Sequence, residues 1–410
     1  MKKKIFIWSL YDFANSLVFI TFLIYFSRWL VVNKGLSDWW YNATFIFGSV
    51  AILFCAPFFG KRADRFGNGK KYLSLSTWGC FVFYTLAIGS ALLAFPVGWS
   101  ALFFGIGNFF YQLSFVFYNP LLSNISTETN RGKISGIGFT SNYIGQICGM
   151  LISIPIISGT IAFGVDPILA TLIPCAILFI LGALPLLVSK SIFVRTDQPQ
   201  PIEHVSHREL LKIIFSNKIL LYFFLAFFLF SDAVTTLVNN YSIFTVEVYK
   251  IPNNQISTLV LITITSAALG AWIFGWLADK LHAKNVLAGI LLCWIPVITT
   301  VSLASSHTLF FIGTIVVGLL IGGTFSVSRQ LLIALVPKNL MHYTFGIYAI
   351  SERAATIAGP LVWSIALTAG GYRWAMLSMA GFQILAVIAI IKLLRYSTTS
   401  PQTISAYGNT

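Results

Sequence analysis

This chain is short of charge. Only 9% of its 410 residues are Asp, Glu, Lys or Arg, against about 25% in a soluble domain. So few charges cannot cover a folded chain with a surface that water solvates, which excludes an ordinary soluble protein. Acidic residues are scarcer than basic ones, 12 against 26, and the resulting net charge of +14 would suit a polyanion. The basic residues lie between apolar runs, however, and form no patch or stripe, so a nucleic-acid partner is set aside. Cysteine is sparse too: Cys55, Cys80, Cys148, Cys175 and Cys293 all sit inside apolar runs without paired spacing. They read as packing residues and say nothing about redox compartment. There is no Gly-x-x-x-x-Gly-Lys-Ser/Thr run, so no ATP-driven motor is encoded here. His204 and His207 have no further ligands near them in sequence and read as solvated histidines, so no metal site is expected. No nucleophile–histidine–acid set is legible, and no enzyme activity or cofactor is expected.

What the chain has in abundance is apolar length. Hydrophobic residues make up 57% of it, arranged in stretches near the roughly 20 residues that one bilayer crossing requires. Twelve segments can be marked, at 5–32, 42–59, 72–94, 98–122, 134–157, 168–189, 218–243, 255–276, 285–304, 308–331, 343–367 and 373–394. The fold class expected is all-α integral membrane, with twelve helices in two pseudo-symmetric six-helix bundles. The division is 1–189 for the first bundle, 190–217 for a linker, 218–396 for the second bundle and 397–410 for a mobile tail. A short surface helix is expected from about His207 to Phe215. The opening Met1-Lys2-Lys3-Lys4 followed by apolar residues imitates a signal peptide. The run holds Asp12 and Asn15 and lacks a small-residue cleavage site, so it reads as a retained first span.

Lys and Arg set the orientation. With the N-terminus inside, 20 of the 26 basic residues fall on the inner side and four (Arg28, Lys34, Lys250, Arg373) on the outer. Both termini are therefore expected in the cytoplasm of a bacterial-type inner membrane, with the bilayer as the main partner and a monomer as the working unit. Trp39, Trp40 and Tyr41, just before the second segment, read as interfacial anchors. Gly132-x-x-x-Gly136, Gly145-x-x-x-Gly149 and Gly318-x-x-x-Gly322 would let helices approach closely.

The densest charge lies between the second and third segments, where Gly60 to Lys71 carries six charged residues in twelve. Gly275-Trp-Leu-Ala-Asp279-Lys280 echoes it 215 residues on, from Asp64 to Asp279. A charged turn repeated at half the chain length marks two related halves. The first copy resembles the major facilitator superfamily signature Gly-x-x-x-Asp-Arg-x-Gly followed by basic residues, supplied here by Gly60, Asp64, Arg65, Gly67, Lys70 and Lys71. Asn68-Gly69 makes the spacing to the basic pair one residue longer than usual. Three further stretches are similar to the vacuole-effluxer-like branch of that superfamily. They are Tyr11-Asp12-Phe-Ala14-Asn15-Ser16, Gly322-Gly323-Thr-Phe-Ser-Val-Ser328-Arg329 with Val336-Pro337-Lys338, and Phe345-Gly346-Ile-Tyr348 with Gly359-Pro360.

The resemblance implies a secondary transporter, and members of the branch are associated with amino-acid efflux in fungal vacuoles. It implies that Asp64 and Arg65, and more loosely Asp279 and Lys280, form an inner gate between the halves. The looser second contact is expected because Lys280 replaces Arg and no glycine follows it. The resemblance implies its substrate only faintly; the cargo expected is a small polar solute, and a proton is expected as coupling ion on the strength of Asp12, Asp232 and Glu352. A siderophore or other larger metabolite is the alternative cargo, and a non-transporting receptor or sensor on the same fold is the alternative class.

Five charged residues lie inside apolar segments: Asp12, Asp232, Arg329, Glu352 and Arg353. A charge near the bilayer centre costs about 2.5–3.5 kcal/mol on insertion scales, so each needs a partner or a wet cavity. Asp12, Asp232 and Glu352 are the candidates for proton coupling, since burial favours the protonated carboxyl. The plainer reading for the two aspartates is helix–helix hydrogen bonding. Arg353 is a candidate for an anionic group, and Glu352 with Arg329 is a possible pair. Arg329, in the last turn of its segment, is expected to snorkel to the cytosol. The amides and phenol Asn15, Asn108, Gln112, Asn119, Asn142, Tyr143, Gln146, Asn239 and Asn240 recur on the first, fourth, fifth and seventh segments. In transporters of this architecture those segments line the cavity between the halves. Together they read as a polar substrate cavity, although each alone reads as an interhelical hydrogen bond.

Overall fold

The computed structural model describes residues 2–161, 163–193, 206–355 and 358–399, and all regular structure among them is helical. Ten long helices come first: α1 Lys2–Asn33, α2 Asp38–Phe66, α3 Gly69–Leu92, α4 Val97–Tyr118, α5 Arg131–Ile157, α6 Pro167–Val188, α7 Lys218–Tyr249, α8 Asn253–Leu281, α9 Ala283–Leu303 and α10 His307–Leu335. The last apolar stretch, Lys338–Tyr396, runs for 59 residues, far more than the roughly 20 of one crossing. Its first helical piece ends at Ala354, the next described piece begins at Ala358, with residues 356–357 outside the described ones, and the helix breaks at Gly371, whose φ of 78° and ψ of −173° are not helical. We therefore divide it into α11, made of Met341–Ala354 and 358–370, and α12 over 372–399. Among the described residues this division gives twelve membrane helices, as the apolar pattern predicts. A further helix, His207–Ser216, lies where the sequence expects one in the linker, and Ser206 and Glu209 close its start with a reciprocal capping box. Residues 194–205, which include His204, lie outside the described residues, as do 400–410 of the expected tail.

The charged stretch is less of a turn than its composition suggests. Helix α2 continues through Phe66, and only Gly67 and Asn68 separate it from α3. Gly67 ends α2 at φ 66°, a left-handed backbone that glycine adopts without a Cβ clash. Asp64 therefore stands on a helix, and so does Asp279, since α8 runs to Leu281 with His282 alone before α9.

The chain folds into two compact units. One comprises Met1–Ile125, Ser141–Pro199 and Leu340–Ala349; the other comprises Ser126–Thr140, Gln200–Asn339 and Ile350–Thr410. The start of α5 thus groups with the second unit and the start of α11 with the first, so neither unit coincides with a bundle of six consecutive helices.

In the first unit, α1 packs on α6, α4 on α2 and α3, and α3 on α6. Aromatic rings fill the space between α1 and α4. Trp8 stacks on Tyr118 at 5.0 Å, and Tyr11 stacks on the same ring at 5.0 Å. The Tyr118 hydroxyl donates to the Trp8 carbonyl at 3.0 Å, while the Tyr11 hydroxyl meets Thr77 Oγ1 on α3 at 2.8 Å. Lipid gives little hydrophobic drive to hold helices together, so packing and such bonds carry the association. In the second unit, α8 packs on α10, α7 on the 358–399 stretch, and α9 on α10 and on that same stretch.

All three small-residue pairs are used. Cβ atoms on Gly318 and Gly322 of α10 would run into the carbonyls of Thr263 and Ala267 on α8. One on Gly136 of α5 would sit 2.5 Å from the Ala271 carbonyl oxygen, and one on Gly149 would sit 2.7 Å from that of Leu17 on α1.

Candidate functional site

Three groups of polar side chains stand out, two at helix starts and one inside the first unit. The first is built by α2 and α11. Their backbones touch through glycine: a Cβ on Gly60 would lie 2.7 Å from the His342 carbonyl oxygen, and one on Gly346 would lie 2.9 Å from that of Ala56. One turn beyond Gly60, Asp64 is buried and meets the open start of α11. It accepts from the His342 N–H at 3.1 Å, the Tyr343 N–H at 2.8 Å and the His342 Nδ1–H at 2.7 Å. A carboxylate here satisfies orphan N–H groups and faces the positive end of the helix dipole. The His342 ring fits because residue 69 lacks a side chain, since a Cβ on Gly69 would stand 2.7 Å from His342 Nε2.

The second group repeats the first with different residues. On α8, Ala271, Gly275 and Asp279 hold the spacing of Ala56, Gly60 and Asp64. A Cβ on Gly275 would lie 2.5 Å from the Gly132 carbonyl oxygen of α5. Asp279 accepts from the Gly132 N–H at 2.6 Å, the Lys133 N–H at 2.7 Å and Gln330 Nε2 at 3.2 Å. Both carboxylate oxygens are engaged, as they are in Asp64, so the looser second contact that the sequence suggests is not what the structure has. The reason is that neither basic neighbour takes part. Arg65 is exposed and lies over the Phe66 ring at 5.0 Å, while Lys280 lies over the Trp276 ring at 3.9 Å.

Arg329 differs from expectation as well. It does not snorkel but is 2% exposed, donating from Nη2 to the Ser135 carbonyl at 2.7 Å and from Nε to Ser135 Oγ at 3.1 Å. Its guanidinium lies 4.2 Å from the centre of the Phe139 ring. The flat fork of Arg suits this combination of carbonyl, hydroxyl and ring, which removes any need to reach water. Glu352 pairs instead with its neighbour Arg353, at 3.2 Å, with both side chains about one-third exposed.

The third group joins α1, α4 and α5. Gln146 Nε2 donates to Asn142 Oδ1 at 2.8 Å, and Asn142 Nδ2 donates to Asp12 Oδ1 at 2.9 Å. One turn along α1, Asn15 Nδ2 reaches Ser114 Oγ at 3.5 Å. The amide oxygens of Asn15, Asn108 and Gln112 are buried and accept no hydrogen bond among the described residues. Tyr143 is buried beside them in sequence, between Asn142 and the rest of α5. Thus Asp12, Asn15, Asn108, Gln112, Asn142 and Gln146 all belong to one unit; the first four are buried, while Asn142 and Gln146 are half-buried.

In the second unit Asp232 is fully buried on α7, and its Oδ2 accepts from the Gly359 N–H at 2.7 Å. Asn239 is exposed, and Asn240 donates to the Thr236 carbonyl at 2.9 Å within its own helix.

Sequence reading missed His342, Gln330 and Ser135. The signal available was the internal repeat. Once Asp64 is matched to Asp279, the helix starts they face can be matched too, and His342-Tyr343 answers to Gly132-Lys133.

Comparison with known proteins places the chain in a family. The profile described as Major Facilitator Superfamily matches residues 5–252 and 232–407. The chain is 26% identical over 384 residues to an uncharacterized MFS-type transporter, YxiO, of Bacillus subtilis, covering 88% of this chain and 87% of that one. Autophagy-related protein 22 of Kluyveromyces lactis is 27% identical over 173 residues, 39% of this chain and 34% of its own length. Among solved structures, the E. coli fucose:proton symporter superposes with a TM-score of 0.71 at 16% identity, covering 97% of both chains. At that identity the likeness speaks for the fold alone.

Proposed function

Because the chain belongs to the major facilitator superfamily and is a multi-pass membrane transporter of that class, we propose that it moves a small polar solute, an amino acid or related metabolite, by alternating access. The observation that carries this is the buried array on α1, α4 and α5. Three amide oxygens there have no donor among the described residues, and buried acceptors left bare cost free energy that a bound ligand recovers. A solute rich in N–H or O–H groups, such as an α-amino acid, has the matching chemistry. The vacuole-effluxer-like resemblance, to which the autophagy-related relatives answer, favours the same class.

The gates in this reading are the two latched helix starts. Asp64 on α11 and Asp279 on α5 each hold a helix end by bonds that are lost when the inner face opens. Both termini are placed in the cytoplasm of a bacterial-type plasma membrane, following the Lys and Arg bias. The protein works as a monomer and uses a proton as coupling ion, through Asp12, Asp232 or Glu352.

A thermal-shift screen of purified protein against amino acids, short peptides, sugars and iron chelates tests the substrate class. An amino acid is expected to raise the unfolding midpoint, because a ligand of the native state stabilises by mass action. A response confined to iron chelates would favour the larger-metabolite alternative. With the hit in hand, proteoliposomes test coupling. Uptake is expected to follow an imposed pH gradient and to lose that dependence when Asp12, Asp232 and Glu352 are changed to the neutral amides. Uptake that ignores the gradient in the wild type would end the proton reading, and binding without uptake would point to a sensor.

A further inference from the structure

The start of α7 and the end of α12 meet through two tyrosines. The rings of Tyr222 and Tyr396 stack with centres 5.6 Å apart and planes 16° from parallel. Two lysines cross the pair. Lys218 Nζ of α7 lies 4.9 Å from the centre of the Tyr396 ring, and Lys392 Nζ of α12 lies 5.7 Å from that of Tyr222. Both lysines are exposed, and the ring faces attract their ammonium groups without neutralising them. No carboxylate pairs with either lysine among the described residues. The nearby acids are engaged elsewhere: Glu247 faces Lys250 at the far end of α7, and Glu352 meets Arg353. Asp279 holds the start of α5, and Glu209 closes the start of the linker helix.

Helical spacing extends this cluster into the apolar layer. Positions three or four and seven or eight apart share one face of a helix. On α7 that set is Lys218, Tyr222 and Leu225; on α12, taken from its C-terminal end, it is Tyr396, Lys392 and Ile388. Leu225 is 45% exposed and Ile388 46%, so both open toward lipid. At 1.5 Å per residue Leu225 lies about 10 Å inward of Lys218. Each helix thus presents a cation and a ring at its end and a bare aliphatic side chain further in. A phospholipid carries the matching order: charged phosphate, polar glycerol ester, acyl chain. A free anion would use the lysines and leave the aliphatic track empty, and an acidic peptide would not enter the apolar layer at all.

We propose that this face of α7 and α12 binds one anionic phospholipid. The two ammonium groups take the headgroup phosphate. The stacked rings sit at the glycerol level, where amphipathic aromatics settle, and Leu225 and Ile388 lie along an acyl chain. The headgroup must carry net negative charge, because a zwitterionic one brings its own cation to two lysines that have no counter-carboxylate. Since α7 and α12 are the first and last helices of the second half, the lipid bridges its two ends. Neither the cargo nor the coupling ion enters the site.

Native mass spectrometry of the purified full chain tests this, with titration in detergent against phosphatidylglycerol and phosphatidylcholine of identical acyl chains. The wild type is expected to retain one phosphatidylglycerol at concentrations where phosphatidylcholine is lost. A basic residue beside an anionic headgroup is worth about five-fold in affinity, so Lys218→Gln with Lys392→Gln should weaken retention about 25-fold. Arginine at both positions keeps the charge and the ring contacts and should restore it. Lys250→Gln, at the opposite end of α7, should retain the lipid as the wild type does. The thermal transition of each variant checks that it is folded. Equal retention of the two lipids, or a double glutamine variant that behaves as wild type, would overturn the proposal. So would an equal loss in Lys250→Gln, which would reduce the effect to net charge. Displacement of the lipid by inorganic phosphate would also overturn it, by making the site one for a free anion.

Discussion

Replacing Gly322 by alanine is expected to lower the thermal unfolding midpoint of the detergent-solubilised protein sharply, while Gly289→Ala leaves it unchanged or raises it. The two glycines sit in long membrane helices and differ in what a methyl group would meet. At Gly322 the added Cβ collides with the carbonyl of Ala267 and would stand 2.8 Å from the Ala271 nitrogen. Both are backbone atoms of α8 that cannot rotate aside. Overpacking costs typically 1–3 kcal/mol when side chains can adjust, so a backbone collision belongs at or above the top of that range. At Gly289 nothing lies within 4 Å of the new Cβ, and the gain in helix preference, roughly 0.5–1 kcal/mol in a soluble reference, is unopposed. Eleven tryptophans make intrinsic fluorescence a convenient readout. Equal midpoints for the two variants would show that the α8–α10 approach is not what holds the second unit.

Removing the carboxylate of Asp64 is expected to expose the start of α11. In Asp64→Ala the backbone N–H groups of His342 and Tyr343 lose their acceptors, at 3.1 and 2.8 Å. Charge-assisted bonds of this kind are worth about 1.5–3 kcal/mol each, and about 1.4 kcal/mol is a factor of ten. Amide exchange over residues 341–346, followed by mass spectrometry, should therefore quicken by at least about ten-fold. Asp279→Ala should do the same over 131–135, where Gly132 and Lys133 lose their acceptor. Arg65→Ala should change neither, because Arg65 rests on Phe66 and not on the latch. For transport, Asp64→Asn is expected to slow turnover while leaving ligand affinity within a few-fold. A loss of binding as large as the loss of turnover would move Asp64 from the gate to the substrate site.

The latches show where sequence reading works and where it stops. Asp64 and Asp279 were legible because a charged residue amid apolar runs needs a reason, and a repeat at half the chain supplies one. Their partners were not legible. His342 is 278 residues from Asp64, and Gly132 is 147 residues from Asp279. Such pairings are decided by which helices cross, and no local periodicity records that. The same holds for Arg329, whose position near a helix end suggested an escape to water until Ser135 and Phe139 of α5 were seen beside it. It holds for Glu352 too, which meets Arg353 next to it instead of a distant arginine, because both side chains lie at the ragged end of the first piece of α11.

Composition and spacing alone determined that the chain lives in a membrane, crosses it twelve times and consists of two related halves. Each conclusion follows from a constraint that acts on every residue: apolar length must match the bilayer, and backbone groups within it must be bonded. The glycine pairs could also be read in advance as close contacts, since only a missing Cβ admits another backbone. Tertiary structure alone decided what each polar group inside the layer touches. In lipid a buried donor or acceptor has no water to fall back on, so its meaning lies wholly in the partner that folding brings. Asp232 had two readings in the sequence, and the structure adds a third element to both: the N–H of Gly359 at the start of the second described piece of α11.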